Sequence, residues 1–237
     1  MKQISPLWKD FTGEFIGTFN LVLFGTGVVA LSVCFGEFAS TWEIGMVWGF
    51  VVIVSIYATR SLCGAHFNPS VTLAMAVTKR MPWGRVPVYL VAQFLGAFAG
   101  SLMVYALFHG AISNYEITNG IVRGTQESMA TAKMFGEYYC LPGHTWVSMP
   151  VAMAAEAIGA FILIFMIFCM TDSSNLGRPD SNFWPVLVGF TLSICIGLLG
   201  PVTQGGFNAA RDFAPRLVAL IFGWGDAVYQ SSCNSWN

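Results

Sequence analysis

The stretch Gly64-Ala65-His66-Phe67-Asn68-Pro69-Ser70-Val71-Thr72 places an Asn before a Pro at the head of a short apolar segment. Asn caps a helix with its side-chain oxygen, and Pro suits the first turn, where its missing N–H has no intrahelical partner to lose. Alone, the stretch reads as a capped helix and nothing more. It gains weight from Gly205-Gly206-Phe207-Asn208-Ala209-Ala210-Arg211-Asp212, which sets a second Asn at the head of a second short segment about 140 residues later. The two segments, 68–77 and 208–222, are too short to cross a bilayer, which takes about 20 apolar residues. Opened by Gly-rich turns, they predict re-entrant half-helices. Irregular backbone of that kind is tolerated at membrane depth only against protein or around a cavity.

The surrounding chain fits that reading. Of its 237 residues 55% are hydrophobic and 10% charged, where a soluble domain carries about 25% charged residues. A lipid-facing exterior explains both values, and an all-α membrane protein follows. Apolar segments at 11–33, 44–62, 86–108, 150–171 and 183–203 are long enough to span. Alternating spans put Lys2, Lys9, Lys79, Arg80, Arg85 and Arg178 on the N-terminal side. The opposite side holds Arg123 and Lys133, diluted by Glu116, Glu127 and Glu137. The positive-inside rule then predicts a multi-pass protein of the plasma (bacterial inner) membrane. Its N-terminus is cytoplasmic and begins with no signal peptide, and the long connection 111–149 faces outward. A net charge of −1 without a Lys/Arg run excludes nucleic acid as a partner.

The chain also matches itself. Glu14-Phe15-Ile16-Gly17-Thr18-Phe19 returns as Glu156-Ala157-Ile158-Gly159-Ala160-Phe161, and Gly49-Phe50 returns as Gly189-Phe190. Phe67-Asn68-Pro69-Ser70 returns as Phe207-Asn208-Ala209-Ala210. The offset is near 140 residues throughout. Residues 1–237 therefore read as a single channel domain: repeat 1 over about 1–111, an outward loop over about 112–149, and repeat 2 over about 150–237. Three spans separate equivalent points, so the repeats have opposite orientation, an arrangement that builds transport sites at the midplane. The register also calls for a sixth span starting near residue 226. The sequence there is short and polar, so the expectation is a missing sixth helix, as in a truncated chain.

At this point the sequence resembles the major intrinsic protein (aquaporin) family, and within it the aquaglyceroporins or bacterial glycerol facilitators. Gly13 to Thr18, Gly64 to Thr72, Ile121-Val122-Arg123-Gly124 and Gly206 to Leu217 carry the resemblance, which covers essentially the whole chain. Asp212 after Arg211 is typical of the glycerol branch. The resemblance implies an aquaporin-like inverted repeat with two half-helices per pore and a homotetramer. It implies passive passage of glycerol and other small neutral solutes, including urea or uncharged metalloid acids. Asn68 and Asn208 would be the pore donors. Carbonyls of Gly64, Ala65 and His66, and of Gln204, Gly205, Gly206 and Phe207, would form the acceptor ladder. Trp48, Ile196, Gly205 and Arg211 would form the selectivity constriction, widened because Gly205 stands where these channels often have a large aromatic. Two departures stand out: Asn68-Pro69-Ser70 and Asn208-Ala209-Ala210 replace Asn-Pro-Ala, and the lost Pro predicts a slightly looser second loop.

The helix dipoles aimed at the pore centre and the charge of Arg211 predict exclusion of cations and protons. An ion pair with Asp212 is the plainer reading of Arg211. Glu14 and Glu156 read as acceptors for the freed N–H groups of the re-entrant loops rather than as a proton relay. His66 reads as lining the inner vestibule. Cys34, Cys63, Cys140, Cys169, Cys195 and Cys233 lack ligand spacing and read as structural. No nucleophile–base pair, metal cluster or cofactor loop appears, so neither an enzyme nor a cofactor is expected. Two other classes remain: a non-conducting membrane scaffold, which the incomplete second half favours, and a proton-coupled secondary transporter.

Overall fold

The computed structural model describes residues 6–229, which hold helices and no strand. Spanning helices are α1 (Pro6–Phe35), α2 (Thr41–Thr59), α4 (Val86–Thr118), α6 (Met149–Thr171) and α7 (Trp184–Thr203). The two half-helices are α3 (Pro69–Val77) and α8 (Ala209–Ala219), and a short α5 (Met129–Ala132) lies in the long connection. Spans α1 and α4 outrun their expected bounds at both ends or at one. Helix α4 continues to Thr118 because Ile112 is fully buried and Glu116 pairs with Arg123 at 2.6 Å. Helix α8 is shorter than expected, since the chain turns at Gly223, whose φ is +98°. Residues 225–228 form one short turn. The rest of the stretch where a sixth span was expected lies outside the described residues.

Side-chain ties at one end of the bundle fix the alternation of spans. Asp10, at the start of α1, accepts from Arg85 Nε beside α4 at 2.7 Å. Arg60, after α2, donates to the Ser181 carbonyl before α7 at 2.9 Å. Arg80, after α3, pairs with Asp172 at the end of α6. All three ties lie at the end where the N-terminus sits.

Helices meet where glycine removes the side chain. A Cβ on Gly49 would stand 2.5 Å from the Gly189 carbonyl, and one on Gly189 2.5 Å from the Gly49 carbonyl. These residues are equivalent in the sequence match, so the α2–α7 crossing joins matched positions. In the connection between α5 and α6, Cys140 is disulfide-bonded, while Cys34, Cys63, Cys169 and Cys195 are free.

Candidate pore

Both re-entrant loops turn by the same device. Ala65 and Phe67 have φ of +54° and +50°, and their equivalents Gly205 and Phe207 have +80° and +51°. A non-Gly residue in this region costs about 1–2 kcal/mol, so something must hold it. Glu14 does so in the first half, accepting from His66 N and Phe67 N at 2.8 Å each. Glu156 does so in the second, accepting from Gly206 N at 3.1 Å and Phe207 N at 2.6 Å. Gln93 adds an amide donor to Glu14 at 2.9 Å, and Thr203 a hydroxyl donor to Glu156 at 2.5 Å. Behind each loop a phenyl ring is received by a glycine. A Cβ on Gly17 would lie 1.9 Å from the Phe67 ring, and one on Gly159 2.0 Å from the Phe207 ring.

The half-helices start alike. Asn68 (φ −152°, ψ 122°) caps α3, and Asn208 (φ −150°, ψ 106°) caps α8. Losing Pro at position 209 has not changed the cap: Asn208 Oδ1 accepts from both Ala210 N and Arg211 N. The amide nitrogen of each Asn points across the axis. Asn68 Nδ2 donates to the Phe207 carbonyl at 2.8 Å, and Asn208 Nδ2 to the Phe67 carbonyl at 2.7 Å. Each Nδ2 keeps one hydrogen for another acceptor.

Both Asn residues line a central cavity of about 440 Å³, together with Gly64, Ala65, His66, Gly205, Gly206 and Phe207. Opposite this polar strip is an apolar wall made of repeat-equivalent pairs: Leu21 with Leu163, Val52 with Leu192, and Ile56 with Ile196. The cavity runs from Arg80 and Thr171 at the N-terminal end of the bundle to Trp48 and Arg211 at the other. A second cavity of about 640 Å³ begins at that same pair and opens among residues of the long connection, including Lys133 and His144. Gln204 lines this outer space rather than the central cavity. Trp48, Ile196, Gly205 and Arg211 all line the central cavity, and of these Trp48 and Arg211 also line the outer one. The Arg211 guanidinium lies 4.3 Å from the centre of the Trp48 ring. The room beside Gly205 is not open: a Cβ there would meet Ile196 Cγ1 at 3.2 Å.

Arg211 does not pair with Asp212. Asp212 pairs with Arg216 at 3.0 Å, one turn along α8, and accepts from Glu137 N at 2.6 Å. The ion partner of Arg211 is Glu137, from the long connection, and both side chains are more than nine-tenths buried. Burial pushes the Glu137 carboxyl up; Arg211 opposes that shift, while Asp212 and Glu156 add to it. Sequence reasoning had counted Glu137 only as charge dilution in a loop. The signal available was its setting, a carboxylate inside Phe135-Gly136-Glu137-Tyr138-Tyr139, where a solvated loop has little use for aromatics. Among the described residues no group of His, Cys, Asp and Glu could hold a metal ion.

Comparison with known proteins gives a consistent result. The family profile described as Major intrinsic protein matches residues 1–227. A protein described as glycerol uptake facilitator, from Haemophilus influenzae, is 39% identical over 214 residues, covering 90% of this chain and 79% of its own length. A propanediol uptake facilitator from Citrobacter freundii is 35% identical, over 91% of this chain and 78% of its own. The X-ray structure of the aquaglyceroporin from Plasmodium falciparum superposes with a TM-score of 0.79 at 29% identity, over 93% of this chain and 84% of that one.

Proposed function

The chain belongs to the major intrinsic protein family, a family of channels rather than enzymes, and from that premise we propose a passive channel for glycerol and comparably small neutral polyols. The observation that carries this reading is the paired Asn68 and Asn208, each with one free amide hydrogen, on a cavity whose other wall is apolar. A polyol needs donors and acceptors along one side and tolerates hydrocarbon along the other. The names of the glycerol and propanediol facilitators support the same solute class.

In this reading the carbonyls of Gly64, Ala65, His66, Gly205, Gly206 and Phe207 are the acceptors, with Gln204 at their outer end. Trp48, Ile196, Gly205 and Arg211 are the constriction. Glu14 and Glu156 are supports: neither lines the central cavity, and each is occupied by two backbone N–H groups. That disfavours a coupled transporter, which needs a carboxylate free to exchange protons along the path.

The two-repeat division around the outward loop is supported by the matched Gly49–Gly189 contact and the matched loop supports. A cytoplasmic N-terminus in the bacterial inner membrane is supported by Arg60, Arg80 and Arg85 clustering at that end. The disulfide at Cys140, on the opposite side, suits an oxidising compartment. A homotetramer rests on the resemblance, and light scattering in detergent would test it as a mass about four times 25.8 kDa.

Stopped-flow light scattering on proteoliposomes under a glycerol gradient tests the channel. Fast, non-saturating glycerol equilibration that is indifferent to a pH gradient is expected. Rates equal to empty liposomes, with the protein inserted, would put the scaffold reading in its place.

A further inference from the structure

Glu137 is held to α8 by its backbone as well as its side chain. Its N–H donates to Asp212, its carbonyl accepts from Arg216, and its carboxylate Oε1 meets Arg211. The neighbouring Tyr138 N–H donates to Gln204 at 2.9 Å. The residue also needs Gly206 to stay small, since a Cβ there would lie 2.9 Å from Glu137 Cγ. Yet Glu137 Oε2 is buried and has no hydrogen-bond partner, the one ionisable group among the described residues in that position. A neutral side chain could brace Arg211 at lower desolvation cost. The choice of a carboxylate therefore concerns charge.

We propose that Glu137 is the built-in counter-anion of Arg211, occupying the guanidinium from behind so that no dissolved anion settles on it from the pore. Arg211 lines both the central cavity and the outer one, so an anion arriving from outside reaches it directly. An uncompensated buried guanidinium is a strong anion site. A small anion bound there would stand where the two cavities meet and obstruct every solute behind it. With Glu137 ionised, the Arg211–Glu137 pair presents donors without net charge.

The groups facing Glu137 are Arg211, Asp212 and Arg216 from α8, Glu156 from α6 and the Tyr138 phenol from its own loop. Because its carboxyl is pushed up, protonation removes the counter-anion at a pH above the ordinary glutamate range, about 4.3. Acid should then have the same effect as removing the charge by mutation.

This inference rests on the channel reading, and its test separates the two. The full chain, in proteoliposomes, is assayed for glycerol flux in potassium chloride and in potassium gluconate, whose anion is too bulky to enter. Each protein is compared only with itself. At about pH 9 the wild type and Glu137→Asp, which keeps the charge, are expected to conduct equally in both salts. Glu137→Gln is expected to lose about tenfold in chloride, the factor 1 + [L]/Kd for about 100 mM anion and a site of about 10 mM. At about pH 5 the wild type is expected to become chloride-sensitive. A conducting Glu137→Gln protein that ignores chloride overturns the proposal. If that variant does not insert, the wild-type pH comparison decides: a chloride response absent at both pH values overturns the proposal on its own. A wild type silent even in gluconate removes the channel reading and this inference with it.

Discussion

The amide of Asn208 donates to the main-chain oxygen of Phe67 at 2.7 Å, while Asn68 returns the same bond to Phe207 at 2.8 Å. Each half of the protein therefore fixes the donor of the other. Asn208→Ala removes the proposed pore donor, the cross-axis bond and a helix cap in one step. Glycerol flux per inserted molecule is expected to fall about tenfold, the effect of about 1.4 kcal/mol on a rate-limiting barrier. The cap alone contributes about 1 kcal/mol to stability, so the comparison must be made on the inserted fraction. Flux within twofold of wild type would remove Asn208 from the pathway.

Gly17 and Gly110 make a matched pair of tests. Alanine at Gly17 drives a methyl group into the Phe67 ring, whereas a Cβ at Gly110 meets nothing within 4 Å. Gly17→Ala is expected to destabilise by about 1–3 kcal/mol through overpacking. Gly110→Ala, inside α4, is expected to be neutral or stabilising by up to about 1 kcal/mol. Denaturation in detergent micelles reads both, and equal effects would contradict the packing described for the re-entrant loop.

Ile196 fills the room beside Gly205 in the central cavity. Ile196→Ala should therefore widen the passage. The flux of a four-carbon polyol relative to glycerol is expected to rise about tenfold, the discrimination available from a methylene or two in an apolar pocket. An unchanged ratio would move the size filter away from this residue.

Asp172 sits outside the membrane-spanning part of α6, paired with Arg80. Hydrogen bonds from the Ser174 hydroxyl and amide, and then Arg80, hold its carboxyl down at about 2. A depressed carboxyl contributes its full stability above its unfolded pKa, about 3.9, and loses that contribution progressively as pH falls from there through the folded value. The difference in melting temperature between wild type and Asp172→Asn should thus stay constant from about pH 8 to pH 5. A difference that changes over that interval would mean the carboxyl titrates above pH 5 and is not held down.

Much of this could be read in the sequence because the elements concerned are local and repeated. Asn68 before Pro69 and Asn208 before Ala209 announce caps, and the Glu14/Glu156 match announces a symmetric need before any contact is known. Helix ends were less legible. Whether α4 stops at Phe108 or runs to Thr118 depends on Ile112 finding a buried seat and Glu116 finding Arg123, and propensity does not encode either partner. Glu137 lay beyond sequence reasoning for the same reason. It is separated by 74 residues of chain from the guanidinium it neutralises, and it belongs to no repeat. The partner of Arg211 is a fact of tertiary structure, and the adjacent Asp212 was the wrong candidate because its carboxylate is taken by Arg216.

The exchange of bonds between Asn68 and Asn208 bears on how such a protein is made. A chain delivered into the bilayer from its N-terminus lodges α1 to α4 before the second loop, about 85 residues further on (Thr118 to Thr203), follows. Until Asn208 arrives, the Phe67 carbonyl lacks its donor and the first half-helix has no opposing end to meet. A half-synthesised chain thus offers no finished aperture. The aperture is complete only when both asparagines are in place, each seated by the other half of the chain.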